Sequence, residues 1–255
     1  MQFLPRWICG LTAVVAWSFS PPVFADHAAP IRGALYDDAG AAGQGVPGVQ
    51  EILRHAGGYE VTIFKAGDIP TGVLEKKDVV IFTGGSGSKE GTTIGEAGRE
   101  AVRKFVRDGG GYLGICAGAY LACSKFTWGL GLLDAQTVSS KWRRGVGDVQ
   151  LEITPAGQRL SALSAEKRSV HYANGPIIQP AGRTDLAPYE PLALFRTELA
   201  EHDSPIGAMV NTPAIVQGHF GKGRVIISSP HPEQTPGLEI IVERAVHWLA
   251  TGDQP

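Results

Sequence analysis

The residue of this 255-residue chain whose type and position most clearly suggest reactivity is Cys116. It stands within Gly-Ile-Cys-Ala-Gly-Ala at 114–119. The preceding residues 111–115 predict a strand, and residues 117–124 predict a helix. A cysteine at a glycine-flanked turn from strand to helix is the thiol version of a nucleophile elbow. The positive end of the helix dipole faces the sulfur and favours the thiolate, which is the attacking form. The pattern therefore indicates a nucleophile; the alternative is a small buried cysteine in a glycine-rich turn.

A second motif that contains catalytic residue types, Ser-Pro-His-Pro-Glu, stands at 229–233. It follows a strand predicted over 224–228, so His231 is expected at the carboxyl edge of the sheet, the edge that also carries Cys116. Glu233 follows two residues later and could orient the imidazole of His231. The alternative is an ordinary exposed turn. It is less favoured, because separate motifs of the chain all indicate the same site.

A glycine loop, Thr-Gly-Gly-Ser at 83–86, comes directly after a buried strand predicted over 78–82. Glycines at a strand end let backbone N–H groups face a ligand without an obstructing Cβ. Beside a nucleophile elbow, this loop could supply one donor to an oxyanion and the amide of Ala117 the other. The alternative is an ordinary glycine loop.

The middle of the chain is less regular. Residues 170–176, Val-His-Tyr-Ala-Asn-Gly-Pro, end a short predicted strand. His171 is a rival general base there, although a lone histidine on a strand is more often structural. Antiparallel strands are predicted over 132–139 and 149–154, with a hairpin loop over 141–148 between them. That loop either faces a substrate or is a solvated turn, and the turn is preferred.

The elements that must position these motifs alternate along the chain. Strands are predicted, in order, at 31–36, 59–64, 78–82, 111–115, 192–195, 214–219 and 224–228. Helices are predicted at 46–56, 96–107, 117–124 and 238–249. Alternating strands and helices predict an α/β fold with a doubly wound, mostly parallel sheet, to which the middle segment adds antiparallel strands.

The first 25 residues predict a secretory signal peptide. Arg6 supplies a positive start, residues 8–20 form an apolar run, and Val-Phe-Ala at 23–25 resembles a cleavage site. The apolar run is too short for a permanent transmembrane helix. We therefore expect a signal peptide over 1–25 and a single domain over 26–255, in a soluble protein that is periplasmic or secreted.

Composition narrows the possible partners. With 23 basic and 25 acidic residues, the chain has no dominant basic patch, so nucleic acid is not an expected partner. After signal removal no membrane partner is expected either, and no metal or cofactor is predicted. Cys116 and Cys123 lie on one predicted helix roughly 10 Å apart, beyond the roughly 7 Å that a disulfide spans. Both thiols are therefore expected to be free.

Taken together, the three motifs resemble the class I glutamine amidotransferase-like superfamily. They occur in the order Gly84-Gly85, the elbow at 114–118, and His-Pro-Glu at 231–233. This resemblance implies a flavodoxin-like fold and amidotransferase-like chemistry.

A closer similarity is to the family named for the N-terminal domain of biotin–protein ligases. The similarity rests on the longer stretch at 109–120, on Tyr-x-Asn-Gly-Pro at 172–176 and on Ser-Pro-His-Pro-Glu at 229–233. It covers nearly all of the expected mature chain. No biotin-ligase catalytic domain is recognised after it, so biotin transfer is not expected.

The resemblance implies a Cys–His–Glu triad formed by Cys116, His231 and Glu233. His231 would take the thiol proton and later protonate a leaving amine, while Glu233 would hold the ring in the right tautomer. The amides of Gly85 and Ala117 would stabilise the oxyanion, and loss of one such donor typically raises the barrier by about 3–4 kcal/mol.

One position departs from the superfamily pattern. Glutamine amidotransferases usually carry Gln four residues after the nucleophile, and this chain carries Tyr120 there. We therefore do not expect glutamine itself to be the substrate. Tyr120, together with Gly84, Tyr172 and Asn174, is predicted to line the substrate pocket.

The expected function is that of an exported cysteine-dependent, amidotransferase-like hydrolase acting on an amide or related acyl bond of a small substrate. One alternative is a non-catalytic binding module that uses the same cleft. Another is a thiol redox sensor that uses an exposed thiolate. His231 and Glu233 argue against the sensor, because a sensor needs neither.

Overall fold

A computed structural model describes residues 29–253 of the chain. Its strands are β1 (Ile31–Tyr36), β2 (Tyr59–Phe64), β3 (Val79–Phe82), β4 (Gly111–Ile115), β5 (Ala135–Thr137), β6 (Val146–Ile153), β7 (Lys167–Ala173), β8 (Ile178–Pro180), β9 (Glu190–Phe195), β10 (Pro213–Phe220) and β11 (Gly223–Ser228). Its α-helices are α1 (Gly45–Ala56), α2 (Gly87–Arg107), α3 (Ala117–Ala122), α4 (Pro155–Ser161) and α5 (Glu239–Thr251). Short 3-10 helices cover Ala66–Asp68 and Pro232–Gln234.

Nine of the strands form one sheet in the order β2-β1-β3-β4-β11-β10-β9-β6-β7. The first five strands in this order pair in parallel. From β11 onward the pairings are antiparallel. The predicted α/β doubly wound sheet with added antiparallel strands is therefore confirmed.

Two apolar layers bury the two faces of the sheet. Every residue of β3 is buried, as its continuous Val-Val-Ile-Phe sequence predicts for a central parallel strand. On one face, α1 inserts Val49 and Leu53, which share a helical stripe, and α5 packs beside it. On the other face lies a cluster that includes residues of α2 and α3. Both layers hold the carboxyl ends of β3, β4 and β11 in place.

Helix α2 differs from its prediction, because it begins at Gly87 rather than at residue 96. Gly95 has φ 67° and ψ 178°, so it interrupts the helix between two halves. The amphipathic pattern restarts after this break, and the sequence therefore showed only the second half. The side chain of Ser86 caps the first half by accepting a hydrogen bond from the amide of Lys89. Similarly, α3 ends at Ala122, because Cys123 is extended.

The predicted hairpin of strands 132–139 and 149–154 is wrong. Strand β5 pairs with β8 in a separate two-stranded sheet, whereas β6 pairs with β7 and β9 in the large sheet. Residues 146–148, placed in the loop by the prediction, belong to β6. Alternating apolar residues indicate a strand but do not identify its partner, which here is determined by packing with distant segments.

The signal peptide predicted over 1–25 lies outside the described residues. Within residues 29–253, no helix has both the length and the apolar character needed to cross a bilayer.

Candidate active site

Cys116 occupies a sharp turn between β4 and α3, with a positive φ of 52° and ψ of −96°. The turn depends on its two flanking glycines. A Cβ on Gly114 would collide with the carbonyl oxygen of Gly118, and a Cβ on Gly118 would collide with that of Phe82. The amide of Cys116 donates to the carbonyl of Ser228 at 2.8 Å, which ties the elbow to the end of β11. The thiol is thus carried on a constrained, strained backbone.

The side chain of Cys116 is largely buried, with 6% of the residue exposed. Its Sγ lies 3.4 Å from the carbonyl oxygen of Ala173, at the end of β7. Cys116 also lines a cavity at the sheet edge, so a bound molecule can reach it.

His231 and Glu233 lie in the turn that follows β11. Nδ1 of His231 and Oε1 of Glu233 are 2.7 Å apart, and only 4% and 6% of the two residues are exposed. The amide of His231 donates to the carbonyl of His171 at 2.8 Å, and Thr235 Oγ1 donates to the carbonyl of His231 at 2.8 Å. The imidazole is therefore fixed by its backbone and by its carboxylate partner.

The environment of His231 favours its protonated form. Burial lowers the pKa of this imidazole, but hydrogen bonding to Cys116 and to Glu233 outweighs burial and raises the pKa to about 10. Since Nδ1 is held by Glu233, Nε2 is the ring nitrogen available to the thiol. Cys116 and His231 follow the neighbouring parallel strands β4 and β11 at their carboxyl ends, and Glu233 lies against the imidazole.

The glycine loop after β3 packs against a second loop near residue 41. Gly85 has a φ of 143°, and a Cβ there would collide with the carbonyl oxygen of Gly40. Hydrogen bonds from Ala42 to Gly84 and from Ser86 to Gly40 hold the two loops together. Across residues 29–253, the amide of Gly85 has no acceptor, and Gly85 lines the same cavity as the thiol.

The amide of Ala117 is the other predicted oxyanion donor. It is the first helical residue of α3, so its N–H precedes the intrahelical hydrogen bonds. Like that of Gly85, this N–H has no acceptor in the described part of the chain. Gly85 thus shares the cavity wall with Cys116, whereas Ala117 directly follows Cys116 in the chain and is itself buried.

The cavity beside Cys116 has a volume of about 340 Å³. Of the four predicted pocket residues, Tyr120 and Asn174 line it. The Tyr120 hydroxyl donates to the carbonyl of Asn174 at 3.0 Å, which closes one side of the cavity. Burial raises the pKa of Tyr120 far above the usual range, so its hydroxyl stays protonated.

The other two predicted pocket residues lie elsewhere. Tyr172 is fully buried, because its ring packs edge-to-face on Phe195 and its hydroxyl donates to the carbonyl of Gly175. Alternation along β7 turns this side chain into the core. Gly84 lies against the His231 ring, where a Cβ would come within 2.9 Å of Cε1. Its role is to leave room for the imidazole.

His171, the rival general base, lies beside His231 rather than in the cavity. The two ring centroids are 5.7 Å apart, and Nδ1 of His171 is 3.9 Å from Asp148 Oδ1. His171 contributes its backbone carbonyl to the position of His231.

The sequence motifs missed the aromatic part of the cavity wall. Phe126 and Trp128, just after α3, line the cavity, as does Trp142 from the segment before β6. The segment at 141–148 was expected to be a solvated turn, but Trp142 faces the cavity while 50% of it is exposed. The density of aromatic residues near a predicted elbow was the available signal.

The other His, Cys and acidic side chains of the described residues bear on a metal site and on a second reactive thiol. Within 29–253 no group of three His, Cys, Asp or Glu side chains is arranged to hold a metal ion. Cys116 and Cys123 are both free there. Burial raises the pKa of Cys123 to about 12, and its sulfur donates to the carbonyl of Ala119, so this second thiol belongs to the core.

Residues 34–144 match the family model described as "Biotin-protein ligase, N terminal". The predicted resemblance is confirmed. The matched range includes Cys116 and the glycine loop at 83–86, and it ends before His231. An uncharacterized protein of Chlamydia muridarum is 24% identical over 185 residues, which are 68% of this chain and 67% of that protein.

Solved structures share the fold. PurLQS from Thermotoga maritima has a TM-score of 0.61 at 16% identity, covering 87% of this chain and 100% of that one. A glutamine amidotransferase has a TM-score of 0.55 at 21% identity, covering 84% and 98%. A putative thua-like protein from Bacteroides uniformis has a TM-score of 0.58 at 17% identity, covering 92% and 97%. The chain has the class I glutamine amidotransferase-like fold.

Proposed function

We propose that this protein is an exported cysteine-dependent hydrolase that cleaves an amide or related acyl bond of a small substrate through Cys116, His231 and Glu233. The observation that carries the proposal is the position of an elbow cysteine beside a buried imidazole, which is itself hydrogen-bonded to a carboxylate at 2.7 Å. Acyl transfer requires a nucleophile, a base and an orienting group within reach of one another, and this placement supports those roles for the three residues.

The first half of the reaction forms a thioester. The thiolate of Cys116 attacks the carbonyl carbon, and the carbonyl electron pair moves onto oxygen, where the amides of Gly85 and Ala117 donate to it. When the carbonyl reforms, the bond to the leaving group breaks, and the His231 imidazolium gives its proton to that group. The raised pKa of His231 supports this order, because the ring already carries the proton it must deliver.

The second half releases the acid. Water attacks the thioester carbon and gives a proton to the neutral imidazole of His231. The carbon–sulfur bond then breaks, and the electron pair returns to Cys116 as a thiolate beside the protonated ring. Glu233 holds Nδ1 throughout, so that Nε2 remains directed at the reacting atoms.

A direct test is acylation of the purified protein with p-nitrophenyl acetate, followed by intact-mass and peptide analysis. We expect an acetyl group on Cys116 that disappears on incubation and that is absent in Cys116→Ala. His231→Ala and Glu233→Gln should slow its formation, whereas Cys123→Ala, which changes a thiol away from the cavity, should not. An acetyl group that forms independently of His231, or none at all, would favour the binding module.

Export is part of the same proposal and rests on residues 1–25, with their positive start, apolar run and Val-Phe-Ala site. N-terminal sequencing of protein from the periplasmic or culture fraction should begin near Asp26. Folded protein that retains Met1 would contradict export without affecting the chemistry at Cys116.

A further inference from the structure

The wall of the Cys116 cavity contains a continuous aromatic surface. The rings of Phe126 and Trp128 are stacked, with centroids 4.3 Å apart and planes inclined by 13°. The ring of Tyr120 continues this surface, with its centroid 6.2 Å from that of Phe126. All three side chains line the cavity and are only partly buried, so their outer surface is available to a bound molecule.

The rest of the wall is polar but uncharged. Hydroxyl groups come from Ser86, Ser88, Thr137, Ser139 and Ser140, and an amide comes from Asn174. Among the described residues that line this cavity, none is Asp, Glu, Lys or Arg. Cations lie nearby, since Arg143 sits over the Trp142 ring. Lys141 and Arg144 line a small neighbouring cavity, but none of these cations belongs to this wall. A carboxylate or ammonium group placed against the wall would therefore lose hydration without an oppositely charged wall residue to offset the loss.

The side chains of Cys116, His231 and Glu233 add to the selection against charged substrates. When the His231 ring is protonated beside a Cys116 thiolate and the Glu233 carboxylate, the three side chains together carry one net negative charge. A substrate anion close to the sulfur would be repelled by it. Aromatic faces combined with hydroxyl groups instead suit a flat or ring-shaped molecule that carries neutral hydrogen-bonding groups.

We infer that the substrate is an uncharged acyl or amide compound whose non-reacting part is a ring that stacks on the Phe126–Trp128 pair. This inference rests on the proposed function for the reacting bond, but the recognition surface is independent of whether the thioester turns over. Two ring chemistries share the required features, an aromatic ring and a sugar ring. Both present a flat apolar face and can carry neutral polar substituents.

The test uses alkylation of Cys116, which requires only a reactive thiol. Four probes share one reacting group: iodoacetamide, N-benzyl iodoacetamide, N-iodoacetyl glucosamine and iodoacetate. Each labelling rate at Cys116 is measured by peptide mass analysis in the full-length purified protein. It is then divided by the rate of the same probe with an uncharged cysteine derivative, so that intrinsic reactivity cancels.

We expect at least one ring probe to exceed iodoacetamide by about tenfold, and iodoacetate to fall below it by a similar factor. Preference for the benzyl probe assigns an aromatic ring, and preference for the glucosamine probe assigns a sugar. Equal normalised rates for all four probes would overturn the inference, as would fastest labelling by iodoacetate.

Variants locate the preference. In Phe126→Leu and in Trp128→Leu, the ratio of ring-probe rate to iodoacetamide rate should fall to near one, because apolar bulk remains but the stacking face is lost. Phe220→Leu is the matched control, since Phe220 ends β10, lies under Arg107 and is not among the residues that line the cavity. Retention of the ratio in both cavity variants would overturn the inference. If the thioester never forms in the acylation test but the ratio behaves as expected, only the proposed function fails.

Discussion

Backbone strain and burial act on the same residue at Cys116. A non-glycine residue at a φ of 52° is held there at a cost of about 1–3 kcal/mol, so the surrounding structure must impose the conformation. It does so through the hydrogen bond that the Cys116 amide donates to the Ser228 carbonyl, and through α3, which starts at the next residue. The result is a thiol that lines a cavity and stands at the N-terminus of α3.

Tyr120 stands where glutamine amidotransferases usually carry Gln, and its effect on substrate choice can be tested. Its ring lines the cavity and its hydroxyl is committed to Asn174, so it offers no amide to a substrate. We expect free glutamine to be a poor substrate, and Tyr120→Gln to raise any glutaminase activity above that of the wild type. Ammonia release from glutamine is measured for wild type, Tyr120→Gln and Cys116→Ser. Fast hydrolysis by the wild type that requires Cys116 would show that Tyr120 does not exclude glutamine.

His231 predicts a defined pH dependence. Its pKa of about 10 lies above the 6.5 of an ordinary imidazole, so the folded protein binds this proton more tightly than the unfolded chain. The stability from this interaction is complete below about pH 6.5 and is lost as the pH rises through about 10. In NMR titrations of the histidine rings, His231 should remain protonated from about pH 6 to 8.

The matched variant for this titration is Glu233→Gln. It removes the carboxylate that accepts from Nδ1, so the pKa of His231 should fall towards its ordinary value. Exposed His55 provides an internal reference in the same spectra. A His231 ring that titrates identically in wild type and variant would contradict a role for Glu233 in holding the proton.

Individual strands and helices could be predicted from the sequence where their burial produces a simple pattern of apolar residues. Strands β3 and β4 are buried on both faces, and their apolar residues identify them directly. The elbow and the His-Pro-Glu turn could be predicted because each is a local motif at a strand end. The first half of α2 could not, since Gly95 breaks the periodicity and glycines at 87 and 91 weaken the helical signal.

The aromatic residues of the cavity wall could not be predicted from the sequence, for a different reason. Phe126 and Trp128 follow α3, whereas Trp142 precedes β6, and their convergence depends on how β5 and β8 pair. No spacing rule relates these segments, because the pairing of short strands is decided by packing over long sequence separations. Tyr172 differs from its predicted place in the pocket because alternation along β7 turns its side chain into the core.

Close packing of α3 on β3 predicts the effect of changing Gly118. A methyl group there would collide with the Phe82 carbonyl, and backbone cannot move aside as a side-chain end can. Gly118→Ala should therefore lower the free energy of unfolding by about 1–3 kcal/mol and slow labelling of Cys116 by iodoacetamide. Gly67→Ala is the control, because an added Cβ there meets nothing within 4 Å. Equal stability of the two variants in urea denaturation would contradict this account of the elbow.

At the scale of the whole molecule, the site joins two parts of the sheet that its strand order separates. Strand β7 is at the far antiparallel edge, yet its Ala173 carbonyl lies 3.4 Å from Cys116, and its His171 carbonyl accepts from His231. The antiparallel half must therefore curve back over the carboxyl ends of β4 and β11. Sheet twist makes such a return possible, so the geometry of the site depends on the integrity of both halves.

A buried carboxyl group in this structure makes global stability depend on pH. Glu90 in the first half of α2 is 0% exposed, and neither carboxyl oxygen has a hydrogen-bond partner within residues 29–253. Burial raises the pKa of Glu90 to about 9, well above its ordinary value of 4.5. In the unfolded chain the group ionises at the ordinary value, so the unfolded state is favoured increasingly as the pH rises between these two limits.

Glu90→Gln should remove this pH dependence, because the amide stays neutral and has nearly the shape of the protonated acid. Each pH unit within the window corresponds to about 1.4 kcal/mol, so wild-type stability should fall by up to about 4 kcal/mol from pH 5 to pH 8 beyond any fall in the variant. The free energy of unfolding in urea is measured at both pH values. Glu60→Gln, which changes an exposed glutamate on β2, should keep the wild-type slope. If Glu90→Gln keeps it as well, the carboxyl group is already ionised in the folded protein, with a charge that the surrounding core has accommodated.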